Sequence, residues 1–202
     1  MTHPADIHRQ AETAKLGMWV FLFTEMLLFG GMFIVYSVYR LRNAAAFHLA
    51  AQEMSVVIGT ANTIILLISS STIAMAMTAV RKNNKRLALL LTGFTVILGL
   101  LFLVNKYFEW GAHFREHIYP GSSTLALRGQ GDVLFFGLYF FMTGLHALHI
   151  IIGLTIIIVI MTFISGGRIH ANRYSVLENG ALYWHLVDLI WIFLFPLFYL
   201  IT

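Results

Sequence analysis

The chain has 202 residues, of which 59% are hydrophobic and 11% charged, and its mean hydropathy is +0.80. The charged share is less than half of the roughly 25% typical of soluble domains, and several apolar runs exceed the roughly 18 residues that indicate a membrane-spanning helix. The absence of cysteine excludes disulfides, thiolate zinc sites, iron–sulfur clusters and covalently attached haem. The net charge of +4 does not point to nucleic acid, because loops of membrane proteins carry basic residues.

Five apolar runs are each long enough to cross a bilayer, and each is predicted to form one helix. Nothing in the sequence suggests a soluble domain, a long linker or a strong internal repeat. We therefore predict an all-α integral membrane protein with a single five-helix transmembrane domain over residues 1–202. The approximate spans are residues 15–39, 54–80, 87–108, 133–164 and 181–201.

The distribution of Lys and Arg predicts how the bundle is oriented. With the N-terminus inside, eight of the 13 basic residues fall on the inner side. Four of these lie in the short turn Arg81–Arg86, and cytoplasmic loops carry an excess of basic residues. The expected orientation is N-terminus inside and C-terminus outside. The inner residues are Arg9, Lys15, Arg81, Lys82, Lys85, Arg86, Arg168 and Arg173.

A carboxylate lies in the middle of the first run. Glu25 is ten residues beyond Lys15, which places it about 15 Å along the helix and near the bilayer midplane. Ionisable groups are costly there, so Glu25 needs a hydrogen-bonding partner on another helix. It either joins helices as a neutral side chain or takes part in proton or lipid chemistry, and the sequence leaves both open.

The second and third runs carry polar groups of different kinds. The hydroxyls of Ser69–Thr72 can bond the carbonyls of the preceding turn, whereas the amide of Asn62 needs a partner outside its own helix. Lys106 and Glu109 are i,i+3 neighbours near the end of the third run. We expect them to form a wetted ion pair at the outer interface, within a belt of aromatic residues.

Histidines mark the last two runs. His146 and His149 are three residues apart, so they lie on one helix face, and small residues flank them. Small side chains let helices approach closely, which predicts that this face packs against protein. In the last run His185 and Asp188 have the same spacing and are expected to bond each other along one face.

Two cofactor hypotheses arise from these histidines. Haem b would need imidazoles from two helices at one level, yet His185 is about 10 Å and His149 about 20 Å from the inner ends of their helices. A metal could be held by His146 and His149 with Glu25, but no further carboxylate lies nearby. The sequence therefore favours buried histidines that bond across helices or to lipid phosphate. We predict no catalytic, cofactor or metal site in this chain.

Several motifs resemble those of subunit III of the haem-copper oxidases, in that family's order and over nearly the whole chain. The first run resembles the family's Gly-Met-Trp helix with its Thr-Glu pair, and the fourth resembles its sixth helix. The second, third and last runs resemble its Leu-Asn-Thr helix, its Phe-Glu-Trp helix end and its closing helix. The segments concerned are Lys15–Gly31, Asn62–Ser70, Phe108–Trp110, Thr143–Gly153 and Glu178–Trp191.

The resemblance implies a noncatalytic subunit of a terminal oxidase that reduces dioxygen and pumps protons. It further implies that haem and copper belong to partner subunits, and that this chain packs on subunit I in a complex with subunit II. Structural phospholipids, support of proton uptake and a bacterial cytoplasmic (inner) membrane are also implied, and Glu25 matches the family's intramembrane glutamate. The candidate proton- or lipid-linked residues are Glu25, Asn62, Glu109, His146, His149, His185 and Asp188.

The chain departs from the full-length family pattern of seven helices, because it lacks the first two. The family's lipid cleft lies between that pair and the remaining bundle, so its second wall is expected from another chain. The first two helices of this chain carry Glu25, Asn62 and the small residues Gly59 and Ser69–Ser71. Such a surface should not face acyl chains directly. We expect it to be covered by subunit I, by extra helices fused to a partner, or by phospholipids with head groups near Arg81–Arg86.

Alternatives remain open at this point. Within the superfamily they are subunit III of a quinol oxidase and the accessory subunit of a nitric oxide reductase, since the electron donor would bind other subunits. From another class, a stand-alone proton-linked transporter would use Glu25, His146 and His149 as its relay. Against the transporter, repeat symmetry is missing and only Pro196 lies within a span.

Overall fold

The chain forms long helices joined by short turns in a computed structural model that describes the backbone of residues 4–201 and the side chains of residues 13–201. That part of the chain contains seven α-helices and a closing π-helical turn, and no β-strand. The helices are α1 (Pro4–Arg42), α2 (Ala44–Gln52), α3 (Val56–Arg81), α4 (Lys85–Arg115), α5 (Ser123–Arg128), α6 (Gln130–Ser165) and α7 (Ser175–Phe195), and the π-turn is Pro196–Leu200.

Five of these helices are long and apolar enough to span a membrane, and each coincides with one of the predicted runs. The predicted all-α class is confirmed. The bounds differ in places, because α4 continues to Arg115, about two turns past the predicted end at residue 108. The short helices α2 and α5 lie in segments for which no helix was predicted. The candidate spans are Thr13–Arg42, Val56–Arg81, Lys85–Arg115, Gln130–Ser165 and Ser175–Leu200.

Polar side chains mark where two of the long helices begin. Ser55 accepts a hydrogen bond from the N–H of Ile58 at 3.4 Å before α3, and Asn84 accepts one from Leu87 at 3.1 Å before α4. These bonds satisfy N–H groups that have no partner within the helix. Between them Asn83 adopts a left-handed φ of 57°, which Asn tolerates, and closes the turn. Helices α3 and α4 therefore pack as an antiparallel hairpin.

Close packing surrounds Trp184 of α7, which is fully buried. A Cβ on Gly99 of α4 would lie 2.9 Å from the Trp184 ring, and a Cβ on Gly153 of α6 would lie 2.8 Å from it. The indole fits between these helices because both neighbours lack a side chain. Its Nε1 donates to Ser69 Oγ of α3 at 2.8 Å. Trp184 thus joins α3, α4, α6 and α7 into the centre of the bundle.

Helix α1 lies at the side of this group. Only 11% of the most apolar 18-residue stretch of α1 is buried by the rest of the chain. The corresponding share for the last span is 56%. The buried stripe of α1 repeats every seven residues, at Leu22, Phe29 and Tyr36. The Tyr36 hydroxyl donates to the carbonyl of Leu197 in the π-turn at 2.5 Å. The remaining faces of α1 expose apolar side chains, which suits contact with lipid or with another protein.

We expect Gly153→Ala to destabilise the protein by about 1–3 kcal/mol, because the added methyl overlaps an indole that has no room to move. Gly137→Ala, on the same helix, is the matched control, since a Cβ there meets no atom within 4 Å. The measurement is the thermal or denaturant midpoint of the purified protein in one detergent. Equal midpoints for the two variants would show that the Trp184 contact is not tight.

Candidate functional site

Most of the predicted polar residues fall into three groups, each built by more than one element of the bundle. We call them the lysine cluster, the glutamate–histidine pair and the serine–histidine group. Their members are Lys106, Glu109, Tyr139 and Tyr199 for the first, Glu25 and His149 for the second, and Ser70, His185 and Asp188 for the third.

The lysine cluster surrounds an ammonium group that is cut off from solvent, since Lys106 is only 2% exposed. Its Nζ lies 3.2 Å from Glu109 Oε2 and donates to the hydroxyls of Tyr199 at 2.6 Å and Tyr139 at 3.3 Å. Both tyrosines donate in turn to Glu109 Oε1. The ring centroids of Tyr139, Tyr199 and Trp191 lie 4.9–5.3 Å from Nζ. Carboxylate, hydroxyls and ring faces together compensate the buried charge.

The position of this ion pair differs from the prediction. Lys106 and Glu109 do pair at i,i+3 as expected, but the prediction that water wets the pair is wrong, because both side chains are almost fully buried. The predicted helix end at residue 108 left the pair at an open helix terminus, whereas α4 continues to Arg115. The π-turn then carries Tyr199 across the cluster and closes it.

The glutamate–histidine pair joins α1 to α6. His149 Nε2 lies 2.9 Å from Glu25 Oε2, and His149 Nδ1 lies 2.8 Å from the Leu145 carbonyl. A carbonyl only accepts, so Nδ1 carries a proton. Nε2 then either donates to a carboxylate as part of an imidazolium, or accepts from a protonated Glu25. The same geometry thus serves two protonation arrangements that differ in where one proton lies.

The surroundings of His146 differ from those of His149. It is fully buried, its ring lies 5.2 Å from Trp191 and 5.5 Å from Phe102, and neither ring nitrogen makes a hydrogen bond to a described residue. The prediction that both histidines face protein is confirmed, because both side chains are buried. They nevertheless contact different helices, with His149 facing α1 and His146 lying between α4 and α7.

The serine–histidine group corrects the predicted bond between His185 and Asp188. His185 Nδ1 lies 2.7 Å from the Ser70 hydroxyl of α3. Asp188 is 3% exposed, and its carboxyl oxygens make no hydrogen bond of ordinary geometry to the described residues, although Ser70 lies beside it. The prediction of a bond within one helix is wrong, because the imidazole bonds the Ser70 hydroxyl of α3 instead.

Asn62 finds the external partner that the sequence required. Its Oδ1 accepts a hydrogen bond from Asn105 Nδ2 of α4 at 2.8 Å, and the residue is fully buried. The expectation that the first two helices expose Asn62 on a surface needing cover is therefore wrong. Of Glu25 and Asn62, only Glu25 lies near the edge of the chain, with a side chain 15% exposed.

The sequence did not reveal the roles of Tyr139, Tyr199 and Ser70. Their only sequence signal is polarity within apolar runs, which many interfacial tyrosines and helix serines share. Among the described residues, no group of three or more His, Cys, Asp or Glu side chains is arranged to hold a metal ion. The described polar groups mostly bond one another, and this arrangement joins helices and can hold protons.

The sequence matches one protein family over nearly its whole length. A family model described as Cytochrome c oxidase subunit III matches residues 5–202. The chain belongs to the cytochrome c oxidase subunit III family. The resemblance seen in the motifs is thereby confirmed, and a member with five apolar spanning helices is a multi-pass membrane protein.

Relatives of this chain are named as subunits of several kinds of oxidase. The chain is 31% identical over 196 residues to cytochrome c oxidase subunit 3 of Thermostichus vulcanus, covering 96% of this chain and 90% of that protein. It is 28% identical over 205 residues to probable quinol oxidase subunit 3 of Staphylococcus saprophyticus, covering 100% and 97%. It is 29% identical over 194 residues to heme-copper oxidase subunit I+III of Aeropyrum pernix, covering 93% of this chain and 22% of that protein.

We expect Lys106→Met to destabilise this subunit III family member by about 3–5 kcal/mol, because it leaves Glu109 buried without its cation. The double variant Lys106→Met, Glu109→Gln removes both charges and should recover much of that loss. The measurement is a double-mutant cycle with Glu109→Gln alone, read as the free energy of unfolding in detergent. Additive losses would mean that the two side chains are not coupled.

Proposed function

We propose that the chain is a noncatalytic subunit III, with one five-helix domain over residues 1–202, in a proton-pumping haem-copper oxygen reductase. The observation that carries this proposal is the family match over residues 5–202. Haem and copper are then held by partner subunits, in a bacterial cytoplasmic membrane. The internal bonding of the polar groups suits a noncatalytic role, because Lys106, Glu109 and Asn62 bond protein partners away from any surface.

Subunit I is the main partner in this proposal, with subunit II in the same complex. In the Aeropyrum pernix relative, subunits I and III are named as parts of one protein, which supports their being neighbours. The sparsely buried α1 is the element of this chain that best suits such a contact. A partner or a structural phospholipid at α1 would also cover the edge at which Glu25 lies.

The electron donor is either cytochrome c or a quinol, since relatives named for both oxidases align over nearly the whole chain. Family membership favours an oxidase subunit over the stand-alone transporter, although Glu25, His146 and His149 are ionisable as a relay requires. A nitric oxide reductase accessory subunit receives no support from the relatives named above.

The decisive experiment is affinity purification of the tagged chain from its own membranes in mild detergent. The proposal predicts co-purification with a subunit I that contains haem and copper, together with oxygen uptake supported by reduced cytochrome c or a quinol. The choice between those donors identifies the oxidase. Recovery of the chain alone, while the haem-containing protein stays in the unbound fraction, would contradict the proposal.

The proposed orientation is N-terminus inside and C-terminus outside. It is supported by the four basic residues of Arg81–Arg86, and it includes Arg9, whose side chain lies outside the described residues. The chain has no cysteine, so Lys82→Cys and Glu116→Cys each create a single labelling site. Lys82 lies in the turn before α4 and Glu116 follows the other end of that helix. An impermeant thiol reagent added to intact cells should label Glu116→Cys alone; labelling of Lys82→Cys alone would reverse the orientation.

We expect Glu25→Gln to leave the oxidase assembled but to lower its sustained turnover or proton pumping. The amide keeps a hydrogen bond to His149 Nε2, yet it cannot exchange a proton with the imidazole. Thr24→Ala is a control on the same helix, since the Thr24 hydroxyl bonds only its own helix, at Phe21. The measurement is oxygen uptake with proton ejection followed over many turnovers. Wild-type behaviour of Glu25→Gln would leave the pair a purely structural role.

A further inference from the structure

A long groove lies on the face of the bundle between α4 and the C-terminal end of α6. Its volume is about 1210 Å³, above the roughly 300–1,000 Å³ usual for small-molecule pockets. From α4 it is lined chiefly by Leu90, Gly93, Phe94 and Ile97, and Met161 of α6 forms the other wall. The α4 residues recur at helical spacing, so they form one stripe along the helix axis.

Gly93 gives the groove its depth. A Cβ at this position would meet only the Met161 Sδ, at 4.0 Å, so the space above the backbone of α4 is open. Leu90, Phe94 and Ile97 stand beside that space and are exposed on the surface of the chain. The floor and walls are therefore apolar and suit a hydrocarbon chain.

Charge is confined to one end of the groove. Arg86 lines that end, next to Ser165 and Gly166 at the end of α6. Lys85 Nζ donates to the Ser165 carbonyl at 2.6 Å, which fixes the start of α4 against the end of α6. No described carboxylate forms a salt bridge with Arg86, and the N-terminal end of α4 adds positive potential there. This end of the groove therefore suits an anion.

The length of the groove matches one leaflet of a bilayer. Arg86 and Ile97 are eleven residues apart, which corresponds to about 16 Å along α4. Half of a hydrocarbon core of roughly 30 Å is about 15 Å. A molecule with its anionic group at Arg86 would thus place apolar chains from the membrane surface to the midplane.

We propose that this groove binds one anionic glycerophospholipid of the leaflet at the Arg81–Arg86 end, with its phosphate at Arg86 and an acyl chain over Gly93. The site lies between α4 and α6, whereas Glu25 lies where α1 meets α6, so it is separate from any lipid held near Glu25. It is formed by this chain alone and does not depend on the electron donor or on the contact with subunit I.

The test is native mass spectrometry of the protein, purified with the subunits that accompany it and delipidated, then titrated with phosphatidylglycerol or with phosphatidylcholine of the same acyl chains. Arg86→Gln removes the charge, and Gly93→Leu fills the groove without changing any charge. Lys82→Gln is the control for charge, because Lys82 lies in the same turn outside the groove. Gly137→Leu is the control for bulk, since its Cβ also meets no atom within 4 Å.

The proposal predicts one phosphatidylglycerol bound in preference to phosphatidylcholine. Arg86→Gln should weaken it about fivefold, the loss expected for one basic side chain near a membrane surface, and Gly93→Leu should abolish it. Both controls and Glu25→Gln should retain it. Equal binding of the two lipids, or equal losses in variants and controls, would overturn the proposal. So would a partner helix occupying the groove in a structure of the assembled complex.

Discussion

An ammonium group buried away from water needs compensating partners, and Lys106 finds them in protein groups alone. Its partners come from α4 itself, from α6 and from the π-turn that follows α7. Because Tyr199 reaches Nζ, the π-turn packs against the cluster. Gly59 of α3 leaves room for that turn, since a Cβ there would lie 2.9 Å from the Tyr199 ring. The buried pair of Lys106 and Glu109 therefore holds α4, α6 and the π-turn together at this end of the bundle.

Single hydrogen bonds between side chains join most of the other helices, and in a membrane each contributes about 0.6 kcal/mol on average. Their combined effect is to fix how each helix is rotated about its axis. The pairs are Asn105–Asn62 and Thr72–Thr95 for α3–α4, Trp184–Ser69, His185–Ser70 and Trp191–Thr63 for α3–α7, and His149–Glu25 for α1–α6. Among them Glu25 lies nearest the edge, where a partner subunit or a lipid can influence its proton.

The sequence predicted features that depend on local pattern and missed those that depend on helix rotation. The spans follow from the length of apolar runs, and the family follows from motifs in a fixed order. The need of Asn62 and Glu25 for partners follows from the cost of polar groups in hydrocarbon. The identity of the partner does not follow from that cost, so Asn105 was not predicted. The burial of Lys106 was missed because its helix end was set too early. The π-helical turn that brings Tyr199 to the cluster has no sequence signal beyond Pro196.

Burial of Lys106 can be measured by reductive methylation of lysines in intact, opened membranes, followed by mass spectrometry. The chain has lysines at positions 15, 82, 85 and 106. Lys82 lies in the turn before α4 and Lys85 begins that helix; both are exposed and act as internal references, while Lys106 is enclosed. The account predicts that Lys106 stays unmodified until the protein is denatured, when it reacts like the others. Modification of Lys106 in the native protein at the rate of Lys82 would contradict it.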